Sequence, residues 1–159
     1  MKHIFRLFIV LLFVGSFTAC KKDNDDDKPK SKTELLTAKN WRLSAAVVSG
    51  TYQGTSFSED GYANADPCEK DNFLKFNSNK TVAYDQGPTK CDDTAADPQT
   101  EQGAWDFNSD ESKLLLSNTG GGATFGLDIL ELTASTLKVE YSESDTDGTY
   151  KYTLTYTAF

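Results

Sequence analysis

Histidine is almost missing from this chain. Its 159 residues hold a single histidine, His3, along with three cysteines, one methionine and four prolines. His3 lies in a segment expected to be removed from the mature protein. Without it, no Ser-His or Cys-His nucleophile pair and no histidine-ligated zinc site can be assembled. Basic charge is also short: 16 Lys and Arg against 24 Asp and Glu give a formal net charge of −8. That balance argues against nucleic-acid binding, which needs cations to displace the counterions of the phosphates. Gly120-Gly121-Gly122 is followed by no Lys-Ser/Thr pair, so it is no phosphate loop. Carboxylates are spread throughout, and none stands out as a hydrolytic pair. No catalytic residue, no metal site and no cofactor is expected; the chain reads as a non-enzyme. At 38% hydrophobic residues, it suits one small domain.

What is present begins with an address. Lys2 and Arg6 precede the apolar run Leu7–Val14 (LFIVLLFV), the layout of a secretory signal. The run falls short of the about 20 residues that span a bilayer. Ser16-Phe17-Thr18-Ala19-Cys20 closes it and resembles the bacterial lipoprotein signal, in which small residues precede a cysteine. The resemblance implies cleavage before Cys20, lipid attachment at Cys20 and partnership with a membrane. The alternative is an ordinary secreted chain with a free Cys20 thiol. Lys21–Lys32 (KKDNDDDKPKSK) carries no large apolar side chain and reads as a disordered tether. Its Lys-Asp-rich start is similar to the export signal of surface lipoproteins in Bacteroidetes, which would place the protein on the outer membrane and facing outward; a plain solvated spacer is the other reading. The expected layout is therefore 1–19 signal peptide, 20–32 lipidated cysteine and tether, 33–159 folded domain.

The remainder alternates with a period of two. Thr33 is the expected cap of one short helix over residues 33–38. Trp41, Leu43, Ala45 and Val47 then share a strand face. Further stripes follow at Leu74/Phe76, Val82/Tyr84, Trp105/Phe107, Leu114/Leu116, Phe125/Leu127/Ile129, Leu137/Val139/Tyr141 and Tyr150/Tyr152/Leu154/Tyr156, with a weaker piece at residues 52–57. Turn-like links at residues 77–80, 108–110, 133–135 and 145–148 make successive strands antiparallel neighbours. This favours an all-β, antiparallel, eight-stranded up-and-down barrel with a short N-terminal helix; a sandwich would need longer crossovers.

If Phe76 lies opposite Val82 and Leu74 opposite Tyr84, extension of that register brings Cys68 beside Lys90, next to Cys91. A disulfide needs Cα atoms about 4.4–6.8 Å apart. In an oxidising envelope, Cys68–Cys91 is the expected bridge.

Together these residues suggest a family. Trp41 opens the first strand, Cys68-Glu69-Lys70-Asp71-Asn72 precedes Leu74-Lys75-Phe76, Asn77-Ser78-Asn79-Lys80-Thr81 makes the turn, and Cys91 and Gly103-Ala104-Trp105 follow. The set resembles the lipocalin-like domain of Bacteroidetes lipoproteins, with Lys80 standing where that family has glycine in the turn. The resemblance implies an eight-stranded barrel with an internal pocket for a small apolar ligand. Trp41, Phe76, Tyr84, Trp105 and Phe107 are the candidate lining, against the simpler reading of core packing. A non-catalytic structural or interaction module that engages a protein or glycan is the competing function. Tyr150, Tyr152 and Tyr156 share one face and either reach a ligand or pack inward. Glu143–Gly148 reads as a hairpin turn rather than a calcium loop, and Asp92, Asp93 and Asp97 as a solvated acidic loop. Asp93-Thr94-Ala95 resembles the three-residue O-glycosylation pattern of Bacteroidetes, with Thr94 as acceptor.

Overall fold

A computed structural model describes residues 28–91, 98–118 and 124–159. Helix α1 (Lys32–Thr37) is capped by Ser31, not by the expected Thr33. The Ser31 hydroxyl accepts from the Glu34 N–H at 3.2 Å, and the Glu34 carboxylate accepts from the Ser31 N–H at 2.7 Å. This reciprocal box satisfies donors at both positions, which a cap at Thr33 would not.

Nine strands follow: β1 (Asn40–Tyr52), β2 (Thr55–Asp60), β3 (Phe73–Phe76), β4 (Thr81–Asp85), β5 (Thr100–Phe107), β6 (Lys113–Asn118), β7 (Phe125–Leu132), β8 (Thr136–Ser144) and β9 (Gly148–Ala158). Each pairs antiparallel with its neighbour, and β9 returns to β1 along almost its whole length. Strands β1 and β3–β9 thus close the eight-stranded barrel, and closure leaves those strands without a free edge to aggregate. Strand β1 is divided along its other side. Asn40–Arg42 pair with β3, while Val47–Tyr52 pair with β2. The weak piece expected at residues 52–57 resolves into the end of β1, a two-residue turn and β2. Gln53 and Gly54 both have positive φ (48° and 79°), the geometry of a tight hairpin.

One expected face is corrected. Trp41 and Leu43 point inward, but Ala45 and Val47 do not. A bulge between Leu43 and Ala45 inserts one residue and reverses the alternation. Ala46 is buried in their place and Val47 is exposed. A second bulge, between Ile129 and Glu131, leaves Leu130 outside.

The β3–β4 register holds as read: Leu74 faces Tyr84 and Phe76 faces Val82. The ladder stops at Phe73–Asp85 and does not extend to the cysteines. Residues 66–72 fold instead into successive turns, with Glu69 N–H donating to Asp66 (3.0 Å) and Asn72 N–H to Glu69 (3.3 Å). Cys68 and Cys91 still meet, with Cα atoms 5.2 Å apart, in a disulfide. A four-residue helix, α2 (Gly61–Asn64), joins β2 to this segment, capped by Asp60.

The turns divide the barrel into two ends. The links at 77–80, 108–112 and 133–135 gather at one end with α1 and the C-terminus; the 53–54 turn, residues 61–72 and the 145–147 turn lie at the other. The α1 end is the floor. Leu36, Trp41, Phe76, Trp105, Leu114 and Leu137 are each no more than 2% exposed there.

Candidate functional site

The floor is sealed by mutual packing. Phe76 meets Trp105 edge-on at 5.8 Å, and Trp105 meets Phe107 at 5.4 Å. The two indole N–H groups are consumed locally. Trp41 donates to the Leu36 carbonyl at 2.8 Å and Trp105 to the Asn77 carbonyl at 3.0 Å. Lys80 occupies the left-handed region (φ 68°) that glycine holds more cheaply. Its ammonium lies 4.1 Å from the Trp105 ring centre and 2.9 Å from Asp106, contacts that offset the strain. Hydrogen bonds from Lys80 and from the Phe107 N–H hold the Asp106 carboxyl below its usual range.

The mouth is built differently. A cavity of about 300 Å³ lies between the 62–74 segment and the barrel, lined by Leu43, Tyr62, Asn72, Phe73, Leu74, Tyr84 and Tyr156, with Glu69 and Lys70. A neighbouring cavity of about 330 Å³ shares Leu74 and Tyr84 and continues to Gly103, Leu116 and Phe125. These volumes stand at the lower end of the range for small-molecule sites, about 300–1,000 Å³.

The wall of the first cavity is held by cross-links. The Asn72 side chain meets the Tyr84 hydroxyl at 2.5 Å; with its amide oriented to satisfy both ends, it also donates to the carbonyls of Gln86 (2.7 Å) and Cys68 (3.1 Å). The Asp71 carboxylate accepts from the Thr89 N–H at 3.0 Å. Gly87, at φ 68°, lets the chain approach the Asp71 carbonyl, where a Cβ would come within 2.5 Å. The Cys68–Cys91 bridge completes this clamp. Asp85 anchors the far side. Burial disfavours its charge, but hydrogen bonds from Thr100, Gln99 and the Gly87 N–H outweigh that and keep its carboxyl below the usual range. Lys70 lies 5.2 Å from the Tyr62 ring centre and 3.4 Å from the Ala63 carbonyl.

An aromatic row continues around the rim. Phe125 meets Tyr141 edge-on at 4.8 Å, Tyr141 stacks on Tyr152 at 4.5 Å, and Phe57 reaches Tyr150 at 6.0 Å. Burial, then Glu143 and Tyr152, push the Tyr141 phenol up. Burial pushes the Tyr156 phenol further, to about 12, with smaller contributions from Tyr141 and Tyr84.

Of the five candidate lining residues, only Tyr84 borders the two mouth cavities. Trp41, Phe76 and Trp105 lie in the closed floor, and Phe107 packs against it. Of residues 143–148, 145–147 form the β8–β9 turn, with Asp145 accepting from the Asp147 and Gly148 N–H groups at 2.8 and 2.9 Å. Among the described residues, no cluster of His, Cys, Asp or Glu suits a metal ion. Cys20, Thr94, the acidic loop at 92, 93 and 97, and Gly120–Gly122 lie outside the described residues. The reading missed Asn72, Phe73 and Tyr62. Their one signal was the Cys68–Cys91 spacing, which ties the segment containing them to the barrel.

The sealed floor, open mouth and eight-strand closure agree with a match to the family model of the lipocalin-like domain, which covers residues 48–139. The chain belongs to the lipocalin-like domain family. The matched stretch runs from the middle of β1 to β8 and contains the clamp and most of the mouth cavity; Leu43 and Tyr156 fall outside it. None of the curated proteins compared with the chain matches it.

Proposed function

We propose that this lipocalin-like chain is a non-catalytic binding protein, anchored by lipid on Cys20 in the outer membrane of a Bacteroidetes-type cell, that holds a small apolar ligand at the barrel mouth. One observation carries the ligand reading: the barrel is filled for only part of its height, and the unfilled part is an aromatic cavity of about 300 Å³. The tether supports the anchoring. Residues 28–31 lead into α1 at the floor, so the tether joins the barrel at the end opposite the mouth. Native mass spectrometry of the full chain purified from its own membrane tests the ligand: a stoichiometric added small-molecule mass supports it, and a mass explained by protein and lipid alone overturns it. Incorporation of labelled fatty acid, abolished by Cys20→Ala, tests the anchor. Protease treatment of intact cells tests outward exposure, and a fully protected chain contradicts it.

A second reading, engagement of a glycan or protein from outside, draws on the rim aromatics Phe57, Tyr150, Tyr152 and Phe125. It takes precedence if no small molecule is found. A mass increment on the Thr94 peptide from the native organism tests modification there.

A further inference from the structure

The polar groups of the mouth are not equally engaged. The Tyr84 phenol is bonded to Asn72, and the Asn72 amide is itself held by two carbonyls. Tyr156 lines the same cavity, beside Leu43, Phe73 and Leu74. Among the described residues, nothing donates to its hydroxyl or accepts from it. The hydroxyl is not among the buried side-chain atoms left without a partner, which are Arg42 Nε and Asp71 Oδ1, so it opens on the cavity, where water or a ligand answers it.

On the reading of the mouth as a ligand site, we propose that Tyr156 is its specificity-determining anchor, and that the ligand is a neutral molecule presenting one hydrogen-bond acceptor, of the ketone or ether kind, on a flat apolar body. The class follows from the surroundings. The Tyr156 hydroxyl can both donate and accept, and a ketone or ether oxygen takes its proton. The low-polarity environment that disfavours the Tyr156 phenolate disfavours a ligand carboxylate for the same reason. The one basic residue of the lining, Lys70, sits beside Glu69 and leans on Tyr62 and the Ala63 carbonyl. Among the aromatic lining, Tyr84 at 41% exposure has the most free surface for a flat body; Lys70 covers Tyr62, and Phe73 meets Phe159 edge-on.

Three matched probes test this: 2-acetylnaphthalene (a ketone), 2-isopropylnaphthalene (nearly the same shape, no acceptor) and 2-naphthoate (an anion). Each is titrated calorimetrically into the full chain with its disulfide intact, and into Tyr156→Phe, which keeps the ring. The ketone is expected to bind about three- to tenfold more tightly than the hydrocarbon, with naphthoate weakest. Tyr156→Phe should abolish the ketone's advantage over the hydrocarbon. If ketone and hydrocarbon bind alike, or naphthoate binds best, the anchor is overturned while the cavity reading stands. If no probe binds, both are overturned.

Discussion

Floor and mouth are made from the same strands, yet they differ in how their aromatic side chains end up. On β4 and β5, Val82 and Trp105 are buried at the floor, while Tyr84, two residues from Val82 on the same face, is 41% exposed. On β7, Leu127 is buried and Phe125, two residues toward the mouth, is 42% exposed. Period-two alternation tells which face a side chain takes, but not how far along the barrel packing continues. That second property depends on the caps: α1 and the turns at 77–80, 108–112 and 133–135 close the floor, whereas the mouth carries the 61–72 segment beside the 53–54 and 145–147 turns. The lesson is that a large aromatic residue marks the floor when its polar atom is satisfied by a nearby backbone carbonyl, as in Trp41 and Trp105. Tyr156, at the mouth, lines a cavity instead.

The largest expected contrast comes from truncating one aromatic side chain at each end. Trp105→Ala should cost about 3–5 kcal/mol of folding stability, the range for emptying a packed core position. Tyr84→Ala should cost about 1 kcal/mol or less and yet weaken binding of 2-acetylnaphthalene. Urea unfolding and calorimetry of both variants check this, and equal stability losses would erase the distinction between the ends.

Next in size is the clamp. Cys91→Ala should cost about 2–4 kcal/mol and, because residues 66–72 then lose their tie to the barrel, weaken probe binding at the mouth. Retained affinity at unchanged temperature would show that Asn72 and Asp71 hold the wall alone.

Alkaline titration separates the ends in another way. The Tyr156 phenol is raised from 10.0 to about 12, so the folded state keeps a proton that the unfolded state releases. Its contribution is fully present below pH 10 and is lost as pH rises toward 12, about 2–3 kcal/mol in all. Tyr141 and Tyr150 are raised too and act in the same direction. Stability measured against pH should therefore fall less steeply over this range in Tyr156→Phe than in the parent.

The smallest effect belongs to the helix cap. Ser31→Ala should lower stability by about 1 kcal/mol through α1 and the floor, with no change in probe affinity at the mouth. A loss of affinity would mean that the two ends are coupled.

Much of the barrel was legible because alternation and short turns are local. The Leu74–Tyr84 and Phe76–Val82 pairings follow from one turn and one period. The β1 face differs from expectation beyond Leu43 because nothing local in Ser44-Ala45-Ala46 announces a bulge, which shows only in the pairing of β1 with the distant β9. Ser31, rather than the expected Thr33, caps α1 because Glu34 stands three residues after it, the spacing a reciprocal capping box requires. The site was less legible. Trp41 and Trp105 attract attention by size, but their indoles face nearby carbonyls. Tyr62, Asn72 and Phe73 lie in or beside turns with no period, so only the folded chain brings them to Tyr156.

The most direct test of the division between a filled floor and a receptive mouth uses the two indole N–H signals. The chain has only two tryptophans, and both sit in the floor. In a nitrogen-15-labelled full chain titrated with 2-acetylnaphthalene, the account predicts shifts of the backbone amides of Tyr62, Asn72, Phe73, Tyr84 and Tyr156, with both indole signals unmoved. Indole signals that shift while those amides stay still would place the ligand on Trp41 and Trp105 and contradict it.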